Sequence, residues 1–593
     1  MREALKKLER GAYGGSVSKP LVITVTIPMM GLPPPSRFTS YLNTPVNFWC
    51  PSIKITGKET LKKGKLKKYY GAPKTPYQRL LKSLDISPDV KKRLVTTQVY
   101  VIFICVLKCL ETLRVPHKGA PPLSLQSASV RSPFFMILLS MRYYSTRNKT
   151  ESVGFAIAAL TGLAPDGGLF VPQDIPEYSG AVKSSLGCMS YQDIAVETIR
   201  PYVDADIPCT VLEEMVLSAY PFGAPLVAAG DRLVLELFHG PTAAFKDFGA
   251  RFMARAFSYL RRGEDNPLRI LVATSGDTGG AVADGFFGVE GISVTVLYPK
   301  GRVSPLQERQ IAGLGGNISA LAVEGSFDDC QRLVKAAFAD AELRGRLDLS
   351  SANSINISRL IPQAVYYTAA AGKAFAGKLD EDGAATPRVK LNVPPPRIPH
   401  PEKAPITLCV PSGNFGNLTA GLYAMKMGAP IKRFIAATNI NKTVPDYLES
   451  GNYAARLSQA TISNAMDVGA PSNFERMAAH FSWEQMRGII LGASVNDEDT
   501  RKTIRAVHDE CGYFLDPHSA VGWRAVDHLK LFKILDNSPL AILATAHPAK
   551  FAETVENLTG PIPVPPSLKK AMERKATAQT IPAELSALKD VLV

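Results

Sequence analysis

A lysine in the first turn of a helix that follows a buried strand can do chemistry that a surface lysine does not. In LVLELFHGPTAAFKDFGARFMAR, residues 233–255, the segment 233–238 is apolar enough for a buried strand. His239, Gly240, Pro241 and Thr242 interrupt it, and Phe245, Phe248, Phe252 and Ala256 then recur every three or four residues. This spacing predicts a helix from Ala243 onward with Lys246 in its first turn. Unpaired backbone N–H groups and the positive helix end lower an amine's pKa there and favour an anion beside it. The expected use is as a nucleophile. Three further stretches carry groups that could bind ligands: TSGDTGG at 274–280, NSINISRLIPQ at 353–363 and PSGNFGN at 411–417.

The elements around these stretches alternate. Residues 268–273, 292–297, 318–323, 406–410, 432–439 and 540–544 read as strands, most of them largely apolar, and 281–287, 327–338 and 418–427 as helices. Strand, Gly-rich loop, helix and strand within about thirty residues is the pattern of a right-handed crossover in a parallel sheet. Loops at the carboxyl ends of such strands offer backbone N–H groups to anions. Two amides, two hydroxyls and Arg359 in 353–359 suit a phosphate, with the guanidinium able to make a bidentate contact. The expected fold class is α/β, with two lobes and the site between them.

HGPTAAFKDF closely resembles the cofactor-lysine motif of the threonine synthases, pyridoxal-phosphate (PLP) enzymes of the tryptophan synthase β-subunit fold type, PLP fold type II. That resemblance implies parallel-type sheets flanked by helices and makes Lys246 the catalytic residue that holds the cofactor's aldehyde. PSGNFGN resembles the family's PLP-phosphate loop, which implies cofactor binding by Gly413, Asn414, Phe415, Gly416 and Asn417. Thr545 would face the pyridine nitrogen. TSGDTG resembles the substrate-binding loop of threonine synthases and dehydratases, and NSINISRLIPQ is close to the threonine synthase form; together they imply substrate contacts from Thr274, Ser275, Asp277, Thr278, Asn353, Ser354 and Arg359. The match spans about 141–565, beginning MRYYSTRNKTESVGFAIAALTGLAPDGGLFVP, and makes Met141 fit a natural start. His518 and His547 are expected to be structural.

Net charge of +15 invites a nucleic-acid reading, but residues 1–140 hold 23 of the 68 Lys+Arg and 6 of the 53 Asp+Glu, while the rest of the chain holds 45 against 47. The basicity therefore belongs to the leading segment. Residues 41–94, including NFWCPSIKI and YYGAPKTPYQRLL, resemble the tail of integrase-core transposases. The segment 1–140 carries few carboxylates, so a read-through remnant or a poorly ordered basic leader is the favoured reading. The eight cysteines show no CxxC or zinc-ligand spacing, which points to reduced thiols, no metal site and a cytoplasmic location. The apolar run 99–107 is far shorter than the ~20 residues a spanning helix needs.

The expected organisation is a leader at 1–140, an amino-terminal region at 141–230, a catalytic region at 231–565 and a peripheral tail at 566–593. Residues 377–405, rich in proline and charge, are expected to form an exposed insertion. The implied reaction converts O-phospho-L-homoserine and water to L-threonine and phosphate, in a monomer or homodimer. Two alternatives stand beside it: another fold type II PLP lyase such as a threonine or serine dehydratase, and a nucleic-acid-binding protein led by the basic segment.

Overall fold

A computed structural model describes residues 55–60, 66–70, 141–381, 386–389, 403–531, 533–536 and 538–592. The chain divides into two compact units, residues 1–129 and 130–593. In the first, β1 (Ile55–Thr60) pairs antiparallel with β2 (Leu66–Tyr70). The expectation of a poorly ordered leader lies otherwise outside the described residues.

The second unit opens with an antiparallel sheet of order β4-β3-β5, formed by β3 (Tyr143–Ser145), β4 (Ser152–Val153) and β5 (Phe170–Pro172). Helices Tyr191–Val203 and Cys209–Ala219 follow. Their apolar faces, with Ile194, Ile199, Leu212 and Val216, are buried in the main core.

Two larger sheets carry the rest. The first uses β6 (Leu226–Ala229), β7 (Arg232–Glu236), β12 (Ile406–Pro411), β13 (Ile431–Thr438), β14 (Ile490–Ser494) and β15 (Leu540–Ala544), in the order β14-β13-β12-β15-β7-β6. Only β6 runs antiparallel to its neighbour. The second, all parallel, uses β8 (Leu268–Ala273), β9 (Ile292–Pro299), β10 (Ile318–Glu324), β11 (Asp348–Ser351) and β16 (Gln579–Pro582), in the order β11-β8-β9-β10-β16. β12, ITLCVP, is buried at every position, as a parallel strand covered on both faces requires. Two sheets flanked by helices form the two-lobed α/β fold.

Local chemistry moves several boundaries. The expected helix at Ala243 begins only at Lys246 and runs to Leu260, because Ala243 is left-handed (φ 54°) and the residues before it form a turn. The helix expected at 281 begins earlier, at Asp277. Residues 566–593 prove to be more than a peripheral tail: β16 pairs with β10 in register, and Leu588 and Leu592 are buried with Leu333 and Cys330. The insertion at 377–405 is likewise not wholly exposed. The Asp380 N–H donates to the Leu226 carbonyl, and the Thr386 hydroxyl donates to Glu236 at 2.8 Å, so parts of it pack on the sheet edge at β6 and β7.

Candidate active site

The site is built from three loops at the carboxyl ends of adjacent parallel strands. β15 lies between β7 and β12, with Ala544 beside Glu236 and Ile542 beside Cys409. The loop after β7 carries Lys246, the loop after β15 carries Thr545, and the loop after β12 carries residues 411–417. Neighbouring strands lie about 4.8 Å apart, so the outer two loops flank a gap about 10 Å wide. Backbone bonds seal the first two together: the Phe245 N–H donates to the Thr545 carbonyl at 2.9 Å, and the His547 N–H to the Ala243 carbonyl at 3.0 Å.

Lys246 opens its helix and is half-buried as a whole residue. Burial of the amine end lowers its pKa to about 8; Asp277 pulls the other way, while Arg359 and Lys550 add to the lowering. Asp247 beside it is fully buried and accepts from the Thr242 N–H at 2.9 Å and the Thr242 hydroxyl at 2.5 Å. Burial raises that carboxyl to about 6. These bonds fold the HGPT turn back over the helix start, which fixes where Lys246 points.

The 411–417 loop has the features of an anion cradle. Cβ on Gly413 would come within 2.6 Å of the Ala465 carbonyl oxygen and 2.8 Å of Met466 Cα, so backbone from residues 465–466 approaches closer than any side chain permits. Phe415, at φ 60°, starts the helix Gly416–Met427 from the left-handed region. Four non-glycine residues among those described have positive φ; two of them, Ala243 and Phe415, sit in the two outer loops of the site. Such backbone is held only where surrounding structure imposes it, and it concentrates at functional sites. Asn417 accepts from the Tyr366 and Tyr367 hydroxyls at 2.5 and 2.7 Å, while its own Nδ2 is buried without a partner. An unpaired donor beside a helix N-terminus and a glycine cradle fits a phosphate-bearing cofactor.

The residues expected to bind substrate divide by what they already hold. Thr274 Oγ1 accepts from the N–H groups of Gly276 and Gly279 at 2.9 and 2.8 Å, so it shapes the loop. Gly276 has φ 136°, a conformation glycine tolerates, and Ser275 and Thr278 remain partly exposed beside it. Asp277 is buried with Oδ1 held by Lys550 Nζ at 2.8 Å and by Gln307 Nε2 at 2.9 Å; those partners keep it well below the usual carboxylate range against the effect of burial. An occupied carboxylate is a poor direct ligand for an anion. Ser354 Oγ accepts from Asn414 Nδ2 at 2.7 Å. Arg359 is 1% exposed, donates through Nη1 to the Ala352 carbonyl at 2.6 Å and leaves Nε unpaired; burial lowers its pKa to about 10. Asn353 Oδ1 is also buried and unpaired.

Several residues at the site escaped the reading of the sequence. Lys550, Gln307, Tyr366 and Tyr367 show no motif signal, since they lie inside apolar or helical runs, and Asp247 lies within HGPTAAFKDF but its bonds to Thr242 are not readable from that motif. Arg476, fully buried, joins three regions: Nε donates to the Phe170 carbonyl at 3.0 Å, Nη1 to Asn473 Oδ1 at 2.8 Å, and Nη2 to the Ile355 carbonyl. His518 is structural: Nδ1 meets Asp516 Oδ1 at 2.9 Å, and Nε2 accepts from the Ala465 N–H at 3.2 Å behind Gly413. His547 caps the turn that follows Thr545, its Nδ1 accepting from the Ala549 N–H at 3.2 Å.

Comparison with known proteins accounts for nearly all of the second unit. Family models described as threonine synthase N terminus, pyridoxal-phosphate dependent enzyme, and threonine synthase C-terminal match residues 142–220, 231–545 and 519–592. The chain is 41% identical to the threonine synthase of Escherichia coli (strain K12) over 457 residues, 76% of this chain and 99% of that protein. It is 35% identical to that of Saccharomyces cerevisiae over 481 residues, covering 70% and 89%. The crystal structure of threonine synthase from Escherichia coli matches with TM-score 0.66 at 40% identity, covering 76% of this chain and 99% of that one. PLP-bound threonine synthase from Brucella melitensis matches with TM-score 0.67 at 36% identity, covering 76% and 99%. The transposase resemblance of 41–94 and the nucleic-acid alternative gain no support, for the matched models begin at residue 142.

Proposed function

The chain belongs to the threonine synthase family, and from that premise we propose how its residues divide the work of converting O-phospho-L-homoserine and water into L-threonine and phosphate, the PLP-dependent reaction this family performs. The supporting observation is the juxtaposition of three loops, those of Lys246, Thr545 and 411–417, at the carboxyl ends of adjacent strands.

Lys246 would hold the cofactor, and its amine would take the proton from the substrate's Cα and move a proton at Cβ. PLP, when bound, supplies the electron sink that makes those protons removable. The N–H groups of Gly413, Asn414, Phe415, Gly416 and Asn417, with the unpaired Asn417 Nδ2, would bind its phosphate. Thr545 would offer the pyridine nitrogen a hydroxyl, where many PLP enzymes use a carboxylate. Arg359, Asn353 and Ser354 bind the substrate's phosphate, the buried Arg359 guanidinium keeping an unpaired Nε as a donor. The loop with Thr274, Ser275, Asp277 and Thr278 faces the substrate, Thr274 and Asp277 holding its shape.

Among the described residues no helix is long and apolar enough to cross a membrane. We place the enzyme in the cytoplasm; unpaired thiols at Cys188, Cys209, Cys330, Cys409 and Cys511 support that reading. A dehydratase of the same fold shares the lysine and the glycine loop but has no need of a second phosphate pocket. Saturable phosphate release from O-phospho-L-homoserine, with no ammonia release from threonine or serine at a comparable rate, is the expected result. The reverse preference would overturn the assignment of Arg359, Asn353 and Ser354.

A further inference from the structure

Lys550 is a second lysine amine at the site, and its surroundings give it a task. It lies in the short turn Pro548–Phe551 that follows Thr545, with its side chain fully buried. Nζ is 2.8 Å from Asp277 Oδ1 and donates to the Thr242 carbonyl at 2.8 Å. The same carbonyl accepts from Gln310 Nε2 at 3.1 Å, and the same carboxylate oxygen accepts from Gln307 Nε2 at 2.9 Å. One ammonium therefore ties the HGPT turn that aims Lys246 to the first residue of the helix Asp277–Phe286.

Each element packed about the Lys246 amine presents an identifiable group. The helix Asp277–Phe286 presents Asp277; the helix Ile357–Leu360 presents Arg359; the turn after Thr545 presents Lys550. The lysine's own helix presents Asp247, engaged by Thr242, and the helix Pro305–Ala312 presents the neutral amides of Gln307 and Gln310. Among the charged groups that act on the amine, Asp277 favours its protonated form, and Arg359 and Lys550 oppose it. One carboxylate thus faces two amines, and the reaction needs one of them neutral.

We propose that Lys550 is a positioning residue for the reaction: its ammonium, 2.8 Å from Asp277 Oδ1, occupies the carboxylate that would otherwise pair with Lys246, leaving the Lys246 amine free to take and return protons. This rests on the reading of Lys246 as the cofactor lysine, but its test does not. Without Lys550, the Lys246 ammonium is the cation still acting on Asp277. The lowered pKa of Lys246, to about 8, agrees with the present arrangement.

The test uses the full chain stripped of cofactor. Lys246 is labelled with a small neutral acylating reagent from about pH 6 to about pH 11, a range that brackets an ordinary lysine, and labelling is quantified by mass spectrometry on the peptide containing Lys246. In Lys550→Met the labelling midpoint should rise by about one pH unit, a tenfold loss of neutral amine at fixed pH. In Lys550→Arg, which keeps the charge, it should stay near that of the unsubstituted chain. In the double variant Lys550→Met with Asp277→Asn, where neither charge remains, it should return to the starting midpoint or fall below it. The double variant also decides the matter if Lys550→Met alone does not fold, since a midpoint above the starting value there overturns the proposal. An unchanged midpoint in Lys550→Met overturns it too. A purely structural Lys550 would lower thermal stability and leave the midpoint where it was. Whether Lys246 is the cofactor lysine is decided separately, by mapping where the cofactor is attached.

Discussion

Asn414 Nδ2 donates to Ser354 Oγ at 2.7 Å, joining two loops that lie 60 residues apart in the chain. Asn414 belongs to the proposed cofactor cradle and Ser354 to the polar stretch that contains Arg359. The Asn414 side-chain oxygen is also engaged, accepting from the Ser472 N–H at 2.6 Å. The cradle and the expected substrate-phosphate pocket therefore share a wall, and a change in one moves the other.

Ser354→Ala removes the acceptor and leaves a partly buried amide N–H unpaired. The expected cost is about 1 kcal/mol, a roughly fivefold weakening. PLP titration and the KM for O-phospho-L-homoserine should both rise by about that factor; a rise in KM alone would show that the two pockets are not coupled through this bond.

Gly413→Ala places a methyl group 2.6 Å from the Ala465 carbonyl oxygen and 2.8 Å from Met466 Cα, and that backbone segment cannot swing away as a side chain could. The loop must shift, and a displacement of this kind at a binding site costs roughly tenfold to a hundredfold. Equilibrium dialysis against PLP should show at least a tenfold loss of affinity with the fold intact by circular dichroism.

Burial lowers Lys246 to about 8, with Asp277 opposing and Arg359 and Lys550 assisting. Proton abstraction requires the neutral amine, whose share grows as pH rises through that value and falls about tenfold per unit below it. The acid limb of kcat should accordingly bend near pH 8. A bend near the ordinary lysine value, about 10.4, would show that the amine is not so perturbed.

Arg476 ties the amino-terminal sheet, through the Phe170 carbonyl, to Ile355 and Asn473. Arg476→Met leaves two carbonyls and an amide oxygen without their donor, at an expected cost on the order of 3 kcal/mol. Lysine cannot reproduce a planar fork that reaches three regions, so Arg476→Lys should recover little of the lost stability. Denaturant unfolding of the three proteins measures both effects.

Much of this arrangement was legible in the residues. β8 and β15 fall where largely apolar runs at 268–273 and 540–544 placed them, because a strand covered on both faces has to be mostly apolar. The Gly-rich loops were legible because close approach leaves a compositional mark, as at Gly413. Helix starts were less so: Thr274 Oγ1 satisfies the N–H groups of Gly276 and Gly279, letting the helix begin at Asp277, a local cap that composition alone does not specify. β16 was invisible because an edge strand of four residues, QTIP, carries no alternation of its own and is held by its register with β10. Lys550 was hidden for a related reason, since a buried ion pair can be recognised only when the partner 273 residues away is known.

Reduction of the PLP-loaded enzyme with borohydride, which makes a lysine–cofactor linkage permanent, followed by peptide mapping, tests the central claim most directly. The account predicts the label on the peptide containing Lys246, and its loss when Gly413→Ala empties the cradle at limiting PLP. A label on Lys550 or any other lysine in the unsubstituted enzyme would contradict it.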